Sequence, residues 1–138
     1  MTGITILVVV LVAASVVGVI LTSRAGKVRH AAAEGTSPRL NAMLRDAGAV
    51  VGHATILHFS ADWCGPCSAV RRVVGQVLAE LDGPTELELD IDEHQALARE
   101  LGVLSLPTTF VLDGQLNQRV RIAGVPKAAA LEAALLDL

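Results

Sequence analysis

The chain has no tyrosine, and its 138 residues hold only two phenylalanines, one tryptophan and two cysteines. Three rings, at Phe59, Trp63 and Phe110, are too few to build a stacking platform for bases. Positive charge is also scarce. The formal net charge is −3, and residues 80–93 carry Glu80, Asp82, Glu86, Glu88, Asp90, Asp92 and Glu93 with no Lys or Arg among them. A surface of that sign argues against nucleic acid as a partner, and a solvated face over a strand accounts for the run. A zinc centre wants four Cys or His ligands, and the chain has a single cysteine pair. His30, His53 and His94 are scattered without metal-site spacing, so no metal and no bound cofactor is expected.

Charge of either sign is missing from residues 3–22, a run of 20 residues rich in Val, Leu and Ile. That is the length that crosses a bilayer as a helix. A cleaved signal peptide has a shorter apolar region, basic residues before it and a small-residue exit after it. Here only Met1 and Thr2 precede the run, and Ser23-Arg24-Ala25-Gly26-Lys27 follows, so a retained transmembrane anchor over residues 1–22 is favoured. Arg24, Lys27 and Arg29 all lie after it, and basic flanks stay on the cytoplasmic side, which places the remainder in the cytoplasm. The same charges suit anionic headgroups. Residues 23–35 read as a tether of small and charged residues, with a weak strand candidate at 27–32. Residues 36–138 have the length of one domain with one core.

Both cysteines fall in Trp63-Cys64-Gly65-Pro66-Cys67. Residues 55–59 are apolar and β-favouring, whereas Ala69, Val70, Val73, Val74, Val77, Leu78 and Leu81 recur at helical spacing. The pair therefore sits at a strand-to-helix junction, with Gly65 and Pro66 shaping a tight turn. A helix started at Cys64 would set its sulfur beside unsatisfied N–H groups and favour thiolate. Half a zinc site and an inert bridge are the alternatives, and the spacing favours reversible thiol chemistry. Further on, Ser37 caps a helix with Pro38 at its first position and Leu40, Met43 and Leu44 inward. Residues 85–92 alternate as a strand with Leu87, Leu89 and Ile91 on one face, and residues 94–101 make a short helix stopped by Gly102. A strand through Leu112, a turn at Asp113-Gly114, a strand at 119–122 and a helix over 126–138 complete an α/β domain with a mixed central sheet flanked by helices.

The cysteine motif, the segment Leu106-Pro107-Thr108-Thr109-Phe110-Val111-Leu112-Asp113-Gly114 and the tail from Arg121 to Gly124 resemble the thioredoxin family over residues 36–138. The resemblance implies the thioredoxin fold and a thiol-disulfide oxidoreductase needing no cofactor beyond its own Cys64 and Cys67. Its partners would be disulfide-containing proteins and a thiol reductase or dithiol donor. In the implied reaction Cys64 is the nucleophile and Cys67 resolves. Trp63 shields the site or packs in the core, and Pro107 is a cis proline beside the cysteines that leaves the Leu106 backbone free for a substrate strand. The family's buried Asp before the motif is matched by His58, and its usual Lys on the next strand by Glu88, which implies an acid-base pair retained with its members exchanged. His58 either accepts the proton of Cys67 or is a hydrogen-bonded or solvent-facing histidine. Arg72 replaces a frequent Pro and Ser60 a frequent Trp. An extracytoplasmic oxidoreductase, acting on envelope proteins or in cytochrome maturation, and a non-catalytic tethered binding module are the competing functions.

Overall fold

The computed structural model describes residues 2–24, 28–30 and 35–138. Helix α1 (Thr2–Arg24) contains the apolar stretch Gly3–Ile20, none of it buried against the rest of the chain. Its 18 residues measure about 27 Å at 1.5 Å per residue, close to the hydrocarbon thickness of a bilayer. Length and apolar character of this kind belong to a membrane span or to a signal sequence.

A five-stranded sheet in the order β1-β5-β4-β2-β3 forms the centre of the domain. Its strands are β1 (Val28–His30), β2 (Thr55–Ser60), β3 (Thr85–Asp90), β4 (Thr108–Leu112) and β5 (Gln118–Ala123). β2 and β3 run parallel because α3 (Cys67–Glu80) carries the chain back between them; β4 is antiparallel to β2, and β5 to β4. The other helices are α2 (Pro38–Asp46), α4 (Gln95–Glu100) and α5 (Ala128–Leu136). The expected mixed sheet with helices on both faces is therefore present.

Strand alternation divides the core in two. Leu57, Phe59 and Leu89 pack with Leu44 of α2 and Leu97 and Ala98 of α4 on one face. Ile56 packs with Val70, Val74 and Val77 of α3 and Leu131 of α5 on the other. His58 shares the Ile56 face by that alternation, so it lies on the α3 side. All six residues of β2 are buried. Ser37 caps α2 as expected, its hydroxyl accepting from Leu40 N–H at 3.2 Å. Gly102 ends α4 in the left-handed region (φ +64°), which lets Val103 N–H reach back to Ala98 C=O.

The weak strand candidate at 27–32, within the tether, is present as an edge strand over residues 28–30, antiparallel to β5, with Val28 opposite Ile122. Two expectations need correction. Strand β3 stops at Asp90 instead of residue 92, because the Asp90 carboxylate accepts Asp92 N–H at 2.7 Å and turns the backbone. Helix α3 starts at Cys67, not Cys64. Residues 64–67 form a turn in which Cys67 N–H donates to Cys64 C=O, and Pro66, with no N–H to lose, stands at the cap.

The β4–β5 connection is organised by Asp113. Its nearly buried carboxylate accepts from Gln115 N–H, Asn117 N–H and Asn117 Nδ2 at 2.9–3.1 Å. Burial pushes this carboxyl up, but the Asn117 and Gln115 hydrogen bonds and Arg119 outweigh it and hold it below the ordinary Asp range. A depressed folded-state pKa stabilises the protein above the unfolded value of about 3.9, and that contribution is lost as pH falls through the folded value. Asp113→Ala should cost about 2 kcal/mol near neutral pH. Urea denaturation at about pH 7 and about pH 3 should show the wild-type advantage shrinking in acid.

Candidate active site

At the C-terminal end of β2 the chain turns through residues 61–66 into α3, with Cys64 N–H donating to Ala61 C=O at 3.0 Å. Cys64 and Cys67 are joined as a disulfide with Cα atoms 5.5 Å apart. Their exposure differs. Cys64 is half-buried, whereas Cys67 is 1% exposed, its sulfur 4.0 Å from the carbonyl oxygen of Phe59. A visiting thiol can therefore meet Cys64 but not Cys67. Trp63 is 70% exposed, which excludes core packing. Gly65 has no left-handed φ, and a β-carbon there would meet nothing within 4 Å. The turn therefore does not require glycine; its absent side chain leaves open space at the disulfide.

Pro107 enters this end from the other side. The Leu106-Pro107 bond is cis, Pro107 is buried and Leu106 half-buried. Thr108 opposes Phe59 across β2 and β4, so Pro107 lies at the level of the Cys67 sulfur, one residue before that pair. Gly124 N–H donates to Pro107 C=O at 2.8 Å, and Thr108 Oγ1 donates to Ser105 C=O at 2.7 Å, fixing the loop from both ends. The sequence-predicted Trp63, Cys64, Gly65, Pro66, Cys67, Leu106 and Pro107 are thus all at one end of the sheet.

His58 is fully buried, which removes the solvent-facing alternative. It directly opposes Glu88, yet its Nε2 pairs with Glu86 at 2.8 Å. The expected His58–Glu88 pair is thus replaced by a diagonal one. The reason is Arg71 of α3, whose Nε and Nη2 grip the Glu88 carboxylate at 2.7–3.0 Å. That hydrogen bond from Arg71 outweighs burial and holds Glu88 below the ordinary carboxylate range, while Glu88 raises Arg71. A carboxylate only accepts, so Nε2 carries the hydrogen toward Glu86. Nδ1 has no hydrogen-bond partner, and neither has the buried hydroxyl of Thr109, the residue directly opposite on β4. Two unsatisfied polar groups therefore lie on directly paired strand positions.

Among the described residues, His58, Glu86 and Glu88 are the group whose donor atoms could hold a metal ion, lying within 4.8 Å of one another. Glu86 already engages His58, and the Arg71 cation occupies Glu88. Sequence reasoning missed Arg71, Glu86 and Thr109. Arg71 is four residues after Cys67 and so on its helix face; Glu86 shares the Glu88 face two residues earlier. Those periodicities were available signals.

A sequence model of the family described as Thioredoxin matches residues 47–137. A thioredoxin of Staphylococcus aureus is 39% identical over 62 residues, which make up 44% of this chain and 60% of that protein's own length. Among solved structures, a mutant thioredoxin from Halobacterium salinarum NRC-1 superposes with a TM-score of 0.58 at 27% identity, covering 75% of this chain and 85% of that one. Mitochondrial thioredoxin 3 from Saccharomyces cerevisiae, in its oxidized form, gives 0.59 at 23% identity over 72% and 90%, a likeness of fold.

The two acidic residues of β3 should respond differently to truncation. Glu86→Ala leaves the buried Nε2–H of His58 unpaired and should cost about 1–3 kcal/mol. Glu88→Ala frees the half-exposed Arg71 to solvent and should cost under about 1 kcal/mol. Urea midpoints of the two variants at neutral pH check the order.

Proposed function

The chain belongs to the thioredoxin family, and from that premise we propose that it is a membrane-tethered thiol-disulfide oxidoreductase that reduces protein disulfides through Cys64 and Cys67. The observation that carries the reading is the inequality of the two sulfurs: Cys64 reachable in the turn before α3, Cys67 buried at its first residue. In the reduced form the thiolate of Cys64 attacks a substrate disulfide, forms a mixed disulfide and expels one substrate thiolate. Cys67 then loses its proton and attacks the Cys64 sulfur. The Cys64–Cys67 disulfide forms and the second substrate thiolate leaves, so two electrons pass to the substrate. A thiol reductase or another dithiol donor restores the pair, and no other cofactor takes part.

Water has little access to Cys67, so its proton needs an internal acceptor. His58 is the residue for that role, on the α3 face of β2 with an unpaired Nδ1. Substrate binding falls to Trp63, Gly65, Pro66, Leu106 and Pro107. Trp63 offers flat apolar contact and Gly65 the open approach, while the backbone at Leu106 pairs with an extended substrate segment. Residues 1–22 act as a single-pass anchor, and Arg24, Lys27 and Arg29 favour a cytoplasmic domain. Labelling of the reduced cysteines by a membrane-impermeant thiol reagent in intact cells decides the side; labelling would favour the extracytoplasmic reading.

Cys64→Ser should abolish reduction of a model protein disulfide, and Cys67→Ser should accumulate the mixed disulfide. His58→Ala should slow mixed-disulfide resolution by about 10²-fold and flatten its pH dependence. Stopped-flow release of the second substrate thiol measures both; an unchanged rate and profile removes His58 from the mechanism. Activity indifferent to both cysteines would favour a binding module.

A further inference from the structure

We propose that the connectivity of this chain turns the redox end of the sheet toward the bilayer, and that its partner is an integral membrane protein whose disulfide lies at headgroup depth. The inference rests on the anchored-oxidoreductase reading above. Strand register supplies the first step. Val28 opposes Ile122, Ile122 opposes Thr109, and Thr109 opposes His58. These four residues make one row across the sheet, and the disulfide lies just beyond it, where the Cys67 sulfur meets Phe59 C=O.

Strand direction supplies the second. After Val28, Arg29 and His30 oppose Arg121 and Val120, and Val120 in turn opposes Val111, which opposes Ile56. Each step leads away from the cysteines. The chain coming from α1 therefore enters the sheet at its redox end.

Length supplies the third. Arg24 ends α1 and Val28 begins β1, four Cα steps that span no more than about 15 Å. With the sheet inverted, Val28 would stand above the bilayer by the four steps of β5 from Ile122 to Gln118, roughly 14 Å. The turn at residues 113–117 would add to that height. The four helical residues from Ile20 to Arg24 add about 6 Å, and an inverted domain uses about two-thirds of that combined reach before the turn is counted. With the redox end down, Val28 needs little of it. Trp63 and Leu104, 70% and 92% exposed, belong to the loops of that end. A disulfide held in the bilayer plane then meets Cys64 at an effective concentration that a free one lacks. In the exchange the partner's disulfide gains two electrons and becomes two thiols, and Cys64 and Cys67 become the disulfide.

The test uses the full chain, reduced, in vesicles holding one of two transmembrane peptides. One carries a disulfide at headgroup depth; the other carries the same disulfide on a long Gly-Ser stalk. The headgroup-depth disulfide should be reduced on the order of tenfold faster. A flexible insertion of roughly 15 residues after Gly26 should bring the two rates together. Trp63 is the sole tryptophan, so energy transfer from it to dansyl-labelled headgroups reports orientation directly and should fall several-fold on the same insertion. Equal rates in the native chain, or transfer unaffected by the insertion, overturn the proposal alone. Failure to reduce either peptide and a soluble protein disulfide as well overturns the oxidoreductase reading with it.

Discussion

Strand β2 is buried at every position, and the redox end depends on that burial. It lies between β3 and β4 in the sheet and between two helical layers, with Leu57 and Phe59 facing α2 and α4 and Ile56 facing α3 and α5. Each such side chain contributes about 1.5–3 kcal/mol relative to exposure. The end of β2 is therefore a fixed point. Seated by Val70, Val74 and Val77 on the same sheet, α3 holds Cys67 against the Phe59 carbonyl. Cys64, three residues earlier in a turn, remains within reach from outside. Asymmetry between two chemically identical side chains thus follows from where a buried strand stops and a helix begins.

The polar groups under α3 make the second layer of the account. A lone buried histidine would be expensive, and here one nitrogen is satisfied by Glu86, whose other side is near solvent. Arg71 engages the Glu88 carboxylate, so the imidazole hydrogen-bonds one of its two neighbouring carboxylates. The result is a histidine with Nε2 paired and Nδ1 unpaired, directly opposite a threonine hydroxyl that is also unpaired. The proposed proton transfer from Cys67 uses that unpaired nitrogen, and an imidazole in that role differs in kind from a buried carboxylate, which begins as an anion and must be desolvated.

Much of this was legible from residues alone, and the failures have physical causes. The cysteine motif, the apolar run of β2, the alternation of Leu87 and Leu89 and the Ser37-Pro38 cap are local signals, and each element formed where its signal lay. The start of α3 was displaced because a turn closed by Cys67 N–H to Cys64 C=O is compatible with the same residues as a helix. Strand β1 was only a weak candidate, since Val28–His30 shows no alternation of its own and is defined by pairing with β5. The partner of His58 was misassigned because family correspondence names the residue at the matching position, whereas side-chain pairing on β3 was decided by Arg71, contributed by a helix outside that strand.

All of the proposed chemistry requires the two sulfurs to open and close together in the folded protein. Equilibration of the intact chain in buffers of graded thiol-disulfide ratio, followed by acid quench, alkylation and mass measurement, counts the free thiols at each potential. The account predicts that both appear together along a two-electron curve, a tenfold change in ratio for about each 30 mV, with urea stability showing the domain folded throughout. Thiols that appear only after unfolding, or one at a time, would contradict it.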